Sequence, residues 1–130
     1  MENLVIPYKK RSPQIEFNTT GEFSILGNCF PEDPKAFFAP ILTWLAEFKT
    51  NHKGEVNLTI DLNYVNTTSI KILLELIQSI TSSFKSKTKI NWIYEIEDED
   101  ILGVGEDLEK VLEFKFNFKS KKQDINPFTG

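Results

Sequence analysis

The chain has 130 residues, 40% of them hydrophobic and 26% charged. That length fits one domain, able to bury roughly two-thirds of its unfolded surface and so to fold without disulfides or metal. Fifteen lysines and arginines against 19 acids give a net charge of −4, which excludes the basic field of a typical nucleic-acid binder.

In chain order, residues 4–28 predict extended structure. Ile15 and Phe17 alternate with polar neighbours, Thr19-Thr20-Gly21 is a turn signal, and residues 22–27 resume the alternation, which together predict a hairpin. Pro31-Glu32-Asp33-Pro34 then announces a helix, with Asp33 suited to cap it and Pro34 to open it. Phe37, Phe38, Ile41, Leu42, Leu45 and Phe48 carry helical spacing to about Lys49. Pro40 falls inside that pattern, so the helix either kinks there or has a separate first turn.

Residues 55–63 alternate cleanly, Val56, Leu58, Ile60 and Leu62 against Asn57, Thr59, Asp61 and Asn63. Asn66-Thr67-Thr68-Ser69 follows, then an apolar helical face from Ile70 to Phe84. Lys87 to Ile96 predicts another strand, with Ile90, Trp92, Tyr94 and Ile96 on one face. After the acidic run Glu97-Asp98-Glu99-Asp100, Gly103-Val104-Gly105 predicts a turn and Glu106 to Leu112 a short helix. Phe114, Phe116 and Phe118 predict the last strand, and residues 123–130 a polar C-terminal tail outside a single domain of residues 1–122.

The order β-β-α-β-α-β-α-β joins the later strands by helical crossovers, so they are expected to lie parallel. Strands that alternate rather than run continuously apolar have one wet face. The expected fold is therefore α/β, a mixed sheet of an N-terminal hairpin plus parallel strands, with helices mainly on one face.

The chemistry available is narrow. Cys29 is the single cysteine and His52 the single histidine. An internal disulfide and a Cys-rich metal site are excluded, and any triad or His-ligated zinc would rest on His52, which sits in the turn-like Asn51-His52-Lys53-Gly54. No glycine loop cradles phosphate, since Gly103-Val104-Gly105 lacks the third glycine and a Lys-Ser/Thr pair. Residues 95–109 hold eight of the 19 acids without calcium-loop spacing. Glu97, Asp98, Glu99 and Asp100 read as a solvated patch that would sooner steer a basic partner than hold a metal. No cofactor and no catalytic residue is expected. No apolar run approaches the roughly 18 residues of a membrane span, and the start of the chain lacks signal-peptide character. The expected protein is cytoplasmic and not inserted in a membrane.

Asn66-Thr67-Thr68-Ser69 follows a strand and opens a helix. Read from the residues alone it is a cap, because Asn, Thr and Ser each satisfy an orphan helix N–H. A family resemblance adds to this. Leu62-Asn63-Tyr64-Val65-Asn66-Thr67-Thr68-Ser69-Ile70-Lys71 is similar to the phospho-acceptor segment of SiaC-type regulatory phosphoproteins. Pro31-Glu32-Asp33 with residues 37–45 resembles that family's first helix. Asn91-Trp92-Ile93-Tyr94-Glu95 with residues 98–102, followed by Gly105-Glu106-Asp107-Leu108, resembles its acidic segment. The match runs from about residue 3 to 118.

The resemblance implies a STAS-like fold, similar to anti-sigma-factor antagonists, and a non-enzymatic switch. In such a switch a Ser/Thr kinase of the anti-sigma type phosphorylates one threonine and a PP2C-type phosphatase removes the phosphate. The unphosphorylated form activates a diguanylate cyclase, or another effector, in cyclic di-GMP and biofilm control. The family's acceptor, directly after the asparagine, maps to Thr67. The family pattern continues with two serines where this chain has Thr68-Ser69, which makes Thr68 the second candidate. Asn66, Thr67, Thr68 and Ser69 form the expected partner-binding switch region. The other reading is a STAS-like scaffold or ligand-binding domain in which Asn66-Thr67-Thr68 is only a cap.

Overall fold

The computed structural model describes residues 1–121. The expected C-terminal tail and the boundary at residue 122 lie outside the described residues.

Six strands form one sheet in sequential order: β1 (Leu4–Ile6), β2 (Gln14–Phe17), β3 (Glu22–Cys29), β4 (Val56–Val65), β5 (Thr88–Glu95) and β6 (Asn117–Lys121). β1, β2 and β3 pair antiparallel, and β3 through β6 pair parallel. The parallel steps are bridged by α1 (Pro34–Asn51), α2 (Thr67–Phe84) and α3 (Glu99–Leu112). Each right-handed crossover moves one strand in the same direction, so all three helices land on one face. The mixed sheet with one-sided helices is the architecture the alternation predicts.

The covered face is apolar. Ile15, Phe17, Phe23, Ile25, Leu58, Ile60, Ile90 and Trp92 are buried there against Phe38, Leu45, Phe48, Leu73, Ile77 and Leu108 of the helices. The open face carries a polar ladder across the strands. Asn57 donates to Glu22, Asn91 donates to Asn57 (2.8 Å) and Thr59, and Lys121 pairs with Asp61 at 2.7 Å. These bonds satisfy the polar side of strands whose other side forms the core.

Local chemistry explains where the helices start. Asp33 accepts from the Ala36 N–H (3.1 Å) with Pro34 at the first helical position. The helix passes through Pro40 without interruption. Pro40 and Ala36 lie on the exposed side, so the carbonyl that proline leaves unserved faces water.

Three sequence expectations shift. First, α3 begins at Glu99 rather than Glu106. Asp98 caps it by accepting from the Ile101 N–H (3.0 Å), and Gly103 and Gly105 lie inside the helix, not in a turn. A side chain at Gly105 would meet the Trp92 indole at 2.6 Å, so this glycine permits close helix–sheet packing. Second, β5 ends at Glu95, leaving Ile96 exposed beyond the shared face. Third, β6 starts at Asn117, because the Phe116 N–H is taken by the Glu109 carboxylate (2.8 Å) rather than by a neighbouring strand.

Candidate functional site

All three helices start at the C-terminal edge of the parallel strands, and the α2 start is the most elaborated of these. The Asn66 side chain accepts from the Ser69 N–H (3.0 Å), and the Asn66 carbonyl receives the first helical bond from Ile70. The Asn66 N–H donates to the Cys29 carbonyl (3.1 Å), which ties the helix start to the end of β3. Asn66 thus performs the cap that composition alone proposes for the segment.

Thr67 and Thr68 occupy the first two helical positions, and both are exposed. Their N–H groups precede the first helical bond, so they face outward with the positive end of the helix dipole. Lys71 is exposed one turn along, in the i,i+4 relation to Thr67. Ser69 differs from its neighbours. It is wholly buried, so it is not part of the presented surface. Cys29 is buried nearby. Desolvation pushes its thiol up to about 11, and a side-chain hydrogen bond with Ser69 acts in the opposite direction.

A bulge shapes the approach to this helix. Gly27 pairs with Leu62 but Asn28 pairs with Tyr64, so Asn63 is the extra residue. Without it Tyr64 would follow Leu62 onto the core face. The bulge turns Tyr64 outward, 53% exposed, and puts Val65 into the core instead. Tyr64 packs edge-on against Phe30 (5.5 Å), and the Arg11 guanidinium lies over the other ring at 5.4 Å. The Phe30 N–H donates to the Arg11 carbonyl (2.8 Å), which fixes that stack. Gly27, at φ +121°, lies so close beneath the Tyr8 ring that a side chain there would clash at 2.9 Å. The result is a surface in which Arg11, Tyr64, Thr67 and Thr68 are exposed around a half-buried Phe30. Arg11 and Phe30 carry no motif in the sequence, and Tyr64 reads as one more alternating strand residue.

The acidic residues sit on the same edge, after β5. Asp98 is a cap, and Glu99 and Asp100 occupy the first turn of α3, where they complement the helix dipole. Glu97 is exposed in the preceding turn. Among the described residues no group of three or more His, Cys, Asp and Glu could hold a metal ion, and no helix is long and apolar enough to cross a membrane. His52 caps α1, with its ring stacked on Phe48 (4.6 Å) and Nε2 2.9 Å from the Glu55 carbonyl oxygen.

Residues 6–121 match the model of the SiaC family of regulatory phosphoproteins. The chain belongs to that family. An uncharacterized protein of Pseudomonas aeruginosa strain UCBPP-PA14 is 24% identical over 119 residues, spanning 89% of this chain and 94% of its own length. The crystal structure of apo-SiaC from P. aeruginosa superposes with a TM-score of 0.82 at 22% identity, over 92% of this chain and all of that one. The SiaC in a crystal structure of diguanylate cyclase SiaD with its activator SiaC, also from P. aeruginosa, gives 0.83 at 22% identity, over 91% and 99% of the two chains. The sheet order and one-sided helices described above are therefore this family's fold.

Proposed function

We propose that this SiaC-family phosphoprotein is a non-enzymatic partner switch whose phosphate is carried by Thr67. The observation that carries the reading is the division of labour at the α2 start. Asn66 performs the cap, Ser69 is buried, and Thr67 is left exposed with no capping bond assigned to it. A threonine so placed is open to a kinase and dispensable to the fold.

A phosphate there adds about −1.5 to −2 charges and three acceptor oxygens. The free N–H groups, the helix dipole and Lys71 accommodate it, so the switch protein stays folded in both states. An interface across Tyr64 and Thr67 does not accommodate it. Burying an unpaired dianion costs several kcal/mol, and about 3–4 kcal/mol removes two to three decades of affinity. The unphosphorylated form is the one that binds.

The proposed effector is a diguanylate cyclase, the kind of enzyme that SiaC of P. aeruginosa activates. A Ser/Thr kinase of the anti-sigma type and a PP2C-type phosphatase would set the phosphorylation state in the cytoplasm. Phosphopeptide mapping of the protein from its own host, with phosphatases blocked, tests the site. Trypsin releases residues 54–71 as one peptide, and the fragment ions are expected to place phosphate on Thr67. Phosphate on Thr68 would move the switch by one residue, and an unmodified peptide across growth conditions would overturn it.

A further inference from the structure

At the pole opposite Thr67, about 25 Å away along α2, the ends of α1 and α2 enclose a cleft of about 380 Å³. Its charged lining is entirely cationic: Lys49, Lys53, Lys85 and Lys87, with His52 beside them and Ser83 and Ser86 adding hydroxyls. This concentration occurs in a chain with a net charge of −4. Among the described residues the ion pair is Lys121 with Asp61, so none of the four lysines is neutralised by a carboxylate there.

Two details mark the cleft as built rather than incidental. Lys85 has φ 49° and ψ −123°, a conformation that a side chain resists and glycine adopts freely. A lysine stands where the backbone favours glycine. The rim is also held in place. The Lys87 ammonium donates to the Lys53 carbonyl (2.8 Å), the Lys49 ammonium bonds the Ser79 hydroxyl, and His52 is pinned between Phe48 and the Glu55 carbonyl.

Lysines near helix C-termini also complement helix dipoles. Two helix ends supply only about −0.5 charge each, against +4 from the lysines, and a dipole does not require the strained backbone at Lys85. Partial burial lowers the Lys49 pKa.

We propose that this cleft binds a small oligophosphate anion, with the lysine ammoniums and serine hydroxyls contacting its oxygens. Several lysines lining one concave site suit a compact ligand bearing more than one negative charge. The site is separate from the Thr67 switch and does not depend on it.

Titration of the full chain with pyrophosphate at 150 mM salt, followed by calorimetry and amide chemical shifts, tests this. Saturable binding is expected, with shifts centred on residues 49–53 and 83–87. Lys49→Gln and Lys85→Gly should each weaken it at least tenfold, while Lys110→Gln, on the remote α3, leaves it unchanged. Lys85→Gly should also raise the melting temperature, since it relieves strain while removing a ligand contact. Lys87→Gln serves if Lys85→Gly changes the local backbone. Absence of saturable binding would overturn the proposal, as would equal weakening by Lys110→Gln or unweakened binding by the cleft variants.

Discussion

Gly103 and Gly105 lie two residues apart in α3, yet alanine at the two positions should act in opposite directions. At Gly105 the new methyl would stand 2.6–2.7 Å from three atoms of the Trp92 indole, against an ordinary carbon contact of about 3.5–4.0 Å. Trp92 is wholly buried, and its Nε1 donates to the Ile101 carbonyl at 2.9 Å. Either α3 lifts from the sheet, an overpacking loss of about 1–3 kcal/mol, or the indole moves and leaves a buried donor unmet, for about 1–3 kcal/mol. The helix-propensity gain of about 1 kcal/mol offsets part of this, and the net is a loss of up to about 2 kcal/mol. At Gly103 nothing lies within 4 Å of the added carbon, so the propensity gain of about 0.5–1 kcal/mol is expressed. Urea unfolding followed by tryptophan fluorescence and far-UV circular dichroism measures both. Gly105→Ala at or above wild-type stability would refute the close-packing account of that glycine.

Three further outcomes follow from the site. Asn66→Ala should lower stability by about 1 kcal/mol in urea titration, because the Ser69 N–H loses its acceptor, whereas Asn66→Asp retains it. Thr67→Ala should leave the midpoint nearly unchanged, because the cap belongs to Asn66, while abolishing phosphorylation of the 54–71 peptide. Cys29 gives a pH dependence. Its thiol titrates near 11 in the fold against 9.0 for the free group. The folded state holds the proton more tightly, so stability is intact below pH 9 and falls by about 2–3 kcal/mol towards pH 11. Unfolding midpoints measured from pH 8 to 11 should show this slope in the native chain and lose it in Cys29→Ala.

Much of the fold is legible in the sequence because one physical condition, a sheet covered on one side, writes itself as alternation. Ile15 and Phe17, Phe23 and Ile25, and Leu58 and Ile60 point inward where that pattern puts them. What stays hidden depends on partners distant in sequence. Gly103 and Gly105 look like a turn because glycine weakens an isolated helix, and only contact with Trp92 shows why Gly105 belongs inside one. The acidic run reads as solvated charge, and Glu97, Glu99 and Asp100 are exposed; what the run does not announce is that Asp98, Glu99 and Asp100 are also the cap and first turn of α3.

The candidate site divides in the same way. Thr67 stands out through the family motif, and the structure leaves it exposed beside a working Asn66 cap. Ser69 shares the motif and the polar character, yet lies in the core. Tyr64 follows the strand alternation until the extra residue Asn63 reverses it, an event set by pairing with Gly27 and Asn28 in β3. The Arg11–Phe30–Tyr64 stack joins three separate parts of the chain, and no local pattern announces it.

The most direct test of the switch is to titrate the unmodified protein and its stoichiometrically Thr67-phosphorylated form against a diguanylate cyclase of the same organism, in one buffer and at one salt concentration. The account predicts binding by the unmodified form and affinity lower by roughly two to three decades for the phosphorylated one, with both forms folded by circular dichroism. Equal affinity of the two folded forms would contradict it.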